Sequence, residues 1–187
     1  MIIRTIENVG GHAVGRRREA GFTLLEVLVA VFVLAIGVLG MARLILIAKQ
    51  VNYEAVQRSL AITLAQDMME RVRSNPRSLG SYDGASVGSG SATAQSCTGT
   101  CSATQLAAYD IYQWDQALYG SSEAAGGRAL GGLVMPAGCI TANANVVTVE
   151  IAWMGSRDSV IAGASTCGAA IGSRRQIVSV QSYVANL

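Results

Sequence analysis

Histidine is almost absent from this 187-residue chain: His12, close to the N-terminus, is the only one. Lysine also occurs once, at Lys49, proline twice, and aromatic residues make up 5% of the sequence. If the N-terminal residues are removed, no histidine-based triad and no histidine-ligated metal site can be assembled. An excess of one charge is missing as well. Fourteen Lys and Arg face twelve Asp and Glu, which excludes a strongly basic nucleic-acid binder and equally an acidic disordered tail. No G-x-x-x-x-G-K-[ST] run occurs. Gly84, Gly88 and Gly90 do not form a dinucleotide fingerprint, because no strand is predicted before them and no helix opens at the last. The expectation is a protein that is not an enzyme and needs no cofactor.

What the chain has in abundance is apolar surface. It is 51% hydrophobic with a mean hydropathy of +0.38, which is high for a soluble domain and points to a membrane segment. From Phe22 to Ala42 the sequence FTLLEVLVAVFVLAIGVLGMA carries one ionisable group, Glu26. As a helix this run rises about 31 Å, close to the hydrocarbon thickness of a bilayer. Arg16, Arg17 and Arg18 stand just before it, so the positive-inside rule predicts a cytoplasmic N-terminus and a remainder outside. Residues 22–187 carry ten basic and ten acidic groups and are formally neutral. No small-residue cleavage site follows the apolar run, Ala42-Arg43-Leu44 being a poor one, and the helix is therefore expected to be retained. Arg17-Arg18 alone also fits twin-arginine export, a weak reading for a long retained helix.

Glu26 has two readings. A carboxylate near a spanning segment is costly, by roughly 2.5–3.5 kcal/mol at mid-helix. Thr23-x-x-Glu26 can form a capping box, in which the carboxylate satisfies a free N–H at the helix start. Alternatively, Glu26 awaits a partner inside a protein assembly. The motif alone leaves both open.

Beyond the bilayer, Leu44, Ala48, Val51, Ala55, Ile62, Ala65, Met69 and Val72 recur at three- and four-residue steps, predicting an amphipathic continuation of the helix. Asn75-Pro76 ends it. Residues 75–104 read as an irregular Ser/Gly/Thr loop. A second helix is predicted over 104–119, with Leu106, Asp110, Trp114 and Leu118 on a core-facing stripe. Asp110 and Asp115 read as solvated or capping residues. Alternation predicts strands over 146–153 and 175–184, paired antiparallel with a long connection. A further short strand is expected near Ser159–Ala162 or Leu130–Met135, since a two-strand ribbon is marginal. The fold class is α+β: a long N-terminal helix packed on a small antiparallel sheet.

Cys97, Cys101, Cys139 and Cys167 all fall in the segment predicted to lie outside the cytoplasm, where an even count implies two disulfides. Three connectivities are open. Cys97–Cys101 with Cys139–Cys167 is the favoured one, the first closing a small loop and the second tying the connection between the strands. The spacings lack paired C-x2-C hooks, so zinc is disfavoured and no metal site is assigned.

A basic leader, Gly21, then Phe22-Thr23-Leu24-Leu25-Glu26-Val27 and an uninterrupted apolar helix resemble the class III signal of type IV prepilins and pseudopilins. The resemblance implies that a membrane prepilin peptidase and N-methyltransferase cuts between Gly21 and Phe22 and methylates Phe22. It implies that Glu26 pairs with the N-terminal amine of a neighbouring subunit during assembly, which selects the second reading of that carboxylate. It further implies a type IV pilin-like fold with disulfide-tied loops and four parts. These are a cytoplasmic leader at 1–21, a membrane or filament-core half-helix at 22–43, an amphipathic periplasmic half at 44–74, and a head at 75–187. Many major pilins have a helix-bending proline where this chain has Arg43, a departure that bears on filament packing.

Glu26–Ala30, Ile36–Met41, the stretch SLAITLAQDMMERVRSN at Ser59–Asn75, and Ala107-Ala108-Tyr109-Asp110…Trp114…Leu118 after a C-x3-C are most similar to PilV-type minor pilins. That implies an inner-membrane, single-pass subunit that joins other minor pilins and the major pilin, primes pilus assembly and supports a tip adhesin; no nucleic-acid partner is expected. The competing readings are a minor pseudopilin of a type II secretion system and a membrane-anchored periplasmic domain.

Overall fold

Thr23 starts the first helix. Its carbonyl accepts from the backbone N–H of Glu26 (3.0 Å) and Val27 (3.3 Å), and α1 then runs without interruption over Leu24–Ser74. Asn75-Pro76 stops it, as predicted, and the chain turns into a short 3-10 segment, Pro76–Ser81. The computed structural model describes residues 21–121, 123–126, 128–159 and 165–185; the leader residues before Gly21, with His12 and Arg16–Arg18, fall outside these.

The chain divides into an N-terminal unit ending at Ile45 and a larger unit from Leu46. In the first, every residue of α1 from Leu24 to Ile45 is exposed. α1 is the one described helix long and apolar enough to cross a membrane.

In the second unit, Ala103–Tyr119 forms α2, followed by the two-residue strands β2 (Ala124–Ala125) and β3 (Arg128–Ala129). A four-stranded antiparallel sheet has the order β1 (Ser86–Val87), β4 (Ala137–Asn143), β5 (Val146–Met154) and β6 (Arg175–Tyr183). β5 and β6 pair over their whole length, Val146 opposite Tyr183 and Met154 opposite Arg175. The architecture is a long N-terminal helix packed against a small antiparallel sheet with disulfide-linked loops.

The core lies between three layers. From α1 it takes Ala61, Ala65, Met68, Met69 and Val72; from α2, Ala107, Trp114 and Leu118; from the sheet, Ile140, Val147, Val149 and Ile151. Alanines at the centre of the α1 stripe bring its backbone close enough for the Trp114 indole N–H to donate to the Leu64 carbonyl at 3.1 Å. The stripe is shorter than periodicity predicts. Leu44, Ala48, Val51 and Ala55 are exposed and Ile62 half-buried, and the buried face begins at Gln57, because the sheet and α2 cover only the last turns of the helix.

Two loop expectations also need correcting. Within 75–104 the chain forms the 3-10 segment and β1, because the N–H and carbonyl of Ile140 bond Ala85 and Gly84 at 3.0 Å each and impose extended structure on a Gly/Ser-rich stretch. The extra strand at Leu130–Met135 is not formed. That stretch crosses the end of α2, Leu133 N–H donating to the Leu118 carbonyl at 3.0 Å, and the crossing needs Gly132: a Cβ there would lie 2.3 Å from the Tyr119 carbonyl. The alternative at Ser159–Ala162 lies, beyond Ser159, outside the described residues. The strand that completes the sheet is β4, whose Ala, Gly and Asn residues carry little β-propensity. Gly138 is required in it, since a Cβ would stand 2.6 Å from both Trp114 and Leu118.

Candidate functional site

At the N-terminal end, Gly21 has nothing within 4 Å of where a Cβ would stand, and Phe22 is 81% exposed. The Thr23 hydroxyl accepts the Glu26 N–H at 3.3 Å, which is half of a capping box. The other half is not made. Among the described residues the Glu26 carboxylate takes no hydrogen bond and no ion pair. Leu24, Leu25, Val27, Leu28 and Val29 around it are all exposed, so the lone carboxylate stands in open apolar surface.

The same four-residue pattern starts α2, where it closes. The Ser102 hydroxyl accepts from Gln105 N–H at 3.3 Å, and the Gln105 side chain accepts from Ser102 N–H at 2.9 Å. Left-handed Gly120 ends that helix.

Of the two readings of Asp110 and Asp115, solvated or capping, the solvated one does not hold: they are 5% and 0% exposed. Asp115 accepts the backbone N–H groups of Gly88 (2.6 Å), Gly90 (3.2 Å) and Ala92 (2.9 Å). It thereby holds a glycine-rich loop that has no ladder of its own. Asp110 accepts from the Tyr82 hydroxyl at 2.7 Å and from Arg71 at 3.2 Å. Arg71 also binds Asp67 (2.9 Å) and Gln113 (2.9 Å), and Asn75 donates to Tyr82 and to the Ala103 carbonyl. Burial pushes the Tyr82 phenol well up; the Asn75 hydrogen bond opposes the shift, the Asp110 carboxylate adds to it, and the Arg71 charge opposes it slightly. Burial works against the Arg71 charge, but Asp67 and Asp110 together outweigh it and raise its pKa. This network clamps α1 to α2 and to the segment between them. The signal for Asp110 was in the sequence, since it shares the i, i+4 stripe of Trp114 and Leu118. Nothing local marks Asp115, whose partners lie 23–27 residues earlier.

The four cysteines form two disulfides, Cys97–Cys101 and Cys139–Cys167. The second ties β4 to the segment that leads into β6. Among the described residues no group of three or more His, Cys, Asp or Glu could hold a metal ion. A cleft of about 720 Å³ lies beside Tyr119, Leu133, Met135, Pro136 and Ile171, and among the described residues no charged side chain lines it.

A long apolar N-terminal helix on a small antiparallel sheet with disulfide-linked loops defines a pilin-like α+β protein. Residues 45–112 match the family model described as Type IV pilin Tt1218. Residues 16–42, which contain Gly21, Phe22 and Glu26, match the prokaryotic N-terminal methylation motif. Together the two matches support a type IV pilin-like protein with an N-terminal methylation motif, in keeping with the pilin and pseudopilin superfamily. No curated protein and no solved structure matches the chain.

Proposed function

We propose that this chain is a PilV-type minor pilin, a low-abundance subunit of a type IV pilus. With other minor pilins it primes assembly and sits at or near the tip, where it supports adhesin display and twitching motility. A prepilin peptidase removes residues 1–21 and methylates Phe22. Residues 22–43 then hold the subunit in the inner membrane and afterwards in the filament core, while 44–74 and the head at 75–187 face the periplasm.

The free Glu26 carboxylate carries this reading. A charge in open apolar surface gains most by meeting an opposite charge that is equally short of water. The amine created at Phe22 on a neighbouring subunit is such a group. The Thr23 hydroxyl already supplies the cap, so Glu26 is not needed for it. The matches to a type IV pilin family and to a methylation motif support the same assignment.

The test is mass spectrometry of sheared surface filaments. An N-methylated peptide beginning at Phe22 in that fraction is the expected result, and Gly21→Val should abolish it. Processed peptide confined to the inner membrane favours a type II secretion pseudopilin. An intact leader in a host with a working prepilin peptidase overturns the assignment in favour of an anchored periplasmic domain.

A further inference from the structure

Two clefts lie along α2 and share one residue. The first, about 300 Å³, is set between the first half of the helix and the loop before it, with Thr93, Gln95, Thr104, Ala108 and Ile111 in its lining. The second, about 490 Å³, is set between the second half of the helix and α1, with Arg71, Gln113, Gln116 and Ala117 in its lining. Tyr112 borders both. Its half-buried side chain divides a groove that follows α2 from Thr104 to Gln116, about 18 Å of helix.

The walls of this groove are fixed. Asp115 holds the backbone of Gly88, Gly90 and Ala92, and Gln116 donates to the Gly90 carbonyl at 3.0 Å. At the other end of the loop, Cys97–Cys101 runs straight into the capping box of α2. A wall that is already ordered gives up little entropy when a ligand binds.

Its chemistry is polar and almost free of charge. Among the described residues Arg71 is the one charged side chain in either lining, and Asp67, Asp110 and Gln113 already engage it. The neighbouring charges are directed elsewhere. Glu70 pairs with Arg73, Asp83 accepts the Ala142 N–H, and Asp115 accepts the loop N–H groups; Arg77 and Glu123 are exposed and line neither cleft. The side chains of Thr93, Gln95, Thr104 and Tyr112, by contrast, make no hydrogen bond among the described residues. Hydroxyls and an amide both donate and accept.

A cation finds no carboxylate in this lining, and an anion finds one guanidinium that is already paired. Single-stranded nucleic acid would use the aromatic ring but needs a basic groove to follow its backbone. A sugar fits both features. Its hydroxyls donate and accept, and the C–H groups on one side of its ring suit the electron-rich face of a tyrosine. We propose that the groove along α2 binds a neutral oligosaccharide, with Tyr112 as the stacking platform and Thr93, Gln95 and Thr104 as hydrogen-bonding partners. Such binding does not require assembly of the chain into a filament.

The test applies the labelled full chain to a microarray of neutral, sialylated and sulfated oligosaccharides, in a zwitterionic detergent because a sugar-headed one would compete. Binding to a subset of the neutral glycans is expected, and titration calorimetry with the free sugar measures its strength. Tyr112→Ala should weaken it about tenfold, Gln95→Ala with Thr104→Ala should weaken it less, and Tyr112→Trp should keep it. Circular dichroism checks that each variant is folded. Failure to bind any neutral glycan, or equal binding by folded Tyr112→Ala, overturns the proposal. Binding confined to sialylated or sulfated glycans also overturns it, by making Arg71 the centre of an anion site.

Discussion

Two helical carboxylates divide this molecule. Asp115 in the head is fully buried and accepts three backbone N–H groups. Glu26, near the start of α1, lies exposed among exposed leucines and valines, and its carboxylate takes no bond among the described residues. The contrast extends to their surroundings. From Gln57 onward, α1 buries one stripe, and Gln57, Asp67, Glu70, Arg71 and Arg73 find partners; from Leu24 to Ile45 it buries nothing. The head satisfies its own polar groups, whereas the N-terminal segment leaves an apolar surface and a charge for something outside the chain, lipid or protein, to satisfy.

The largest expected effect comes from breaking the self-sufficient side. Asp115→Ala leaves the N–H groups of Gly88, Gly90 and Ala92 without their acceptor. A loss of about 3–4 kcal/mol is expected, with Asp115→Asn costing less because it keeps one acceptor. Thermal unfolding of the full chain in detergent measures both. A loss below about 1 kcal/mol for Asp115→Ala would mean that the loop at 88–92 is held by other contacts.

The disulfides sharpen the point within the head. Cys139–Cys167 closes a loop with a sequence separation of 28, Cys97–Cys101 one of 4. Loop entropy predicts that replacing both members by alanine costs about 3–4 kcal/mol for the first pair and about 2 kcal/mol for the second. Equal losses would show that Cys139–Cys167 acts through its native contacts rather than through the unfolded chain.

Next in size is an alkaline effect from Tyr82. Burial raises its pKa in the folded state, so its neutral form contributes stability in full below the unfolded-state value of about 10. That contribution fades as pH climbs toward the folded value. Stability of the full chain should fall above pH about 10, and Tyr82→Phe should flatten that fall while lowering stability at neutral pH, since Asp110 then loses a donor. An unchanged alkaline slope in Tyr82→Phe would assign the effect to other groups.

How much of this was legible depends on the range of the interactions. Period 3.6 gave α2 to within one residue, and period 2 gave β5 and β6 with their antiparallel pairing, because those patterns are local and each element buries one face. β4 and β1 were hidden since Gly138 is there to admit Trp114, and Ser86–Val87 is extended only because β4 lies beside it. Asp115 was read only as solvated or capping for the same reason: a helical carboxylate shows no buried partner until a loop 25 residues away turns its N–H groups toward it. The N-terminal segment was legible in a different way. Its apolar length and single charge are properties of the sequence itself, since nothing among the described residues covers them.

The smallest expected effect on stability is the most informative about that segment, and it compares two versions of one motif. Ser102 and Gln105 close a full capping box on α2, so Ser102→Ala should cost about 1 kcal/mol. Glu26→Gln should leave the melting of the head unchanged, because the carboxylate makes no bond there and the Thr23 hydroxyl still caps α1. Processing at Gly21 should also survive, which the mass of the mature chain reports. Incorporation into filaments should drop sharply, because an amide cannot neutralise an amine. If Glu26→Gln assembles normally, the carboxylate serves only the start of the helix, and the free charge that separates the two regions has no partner to find.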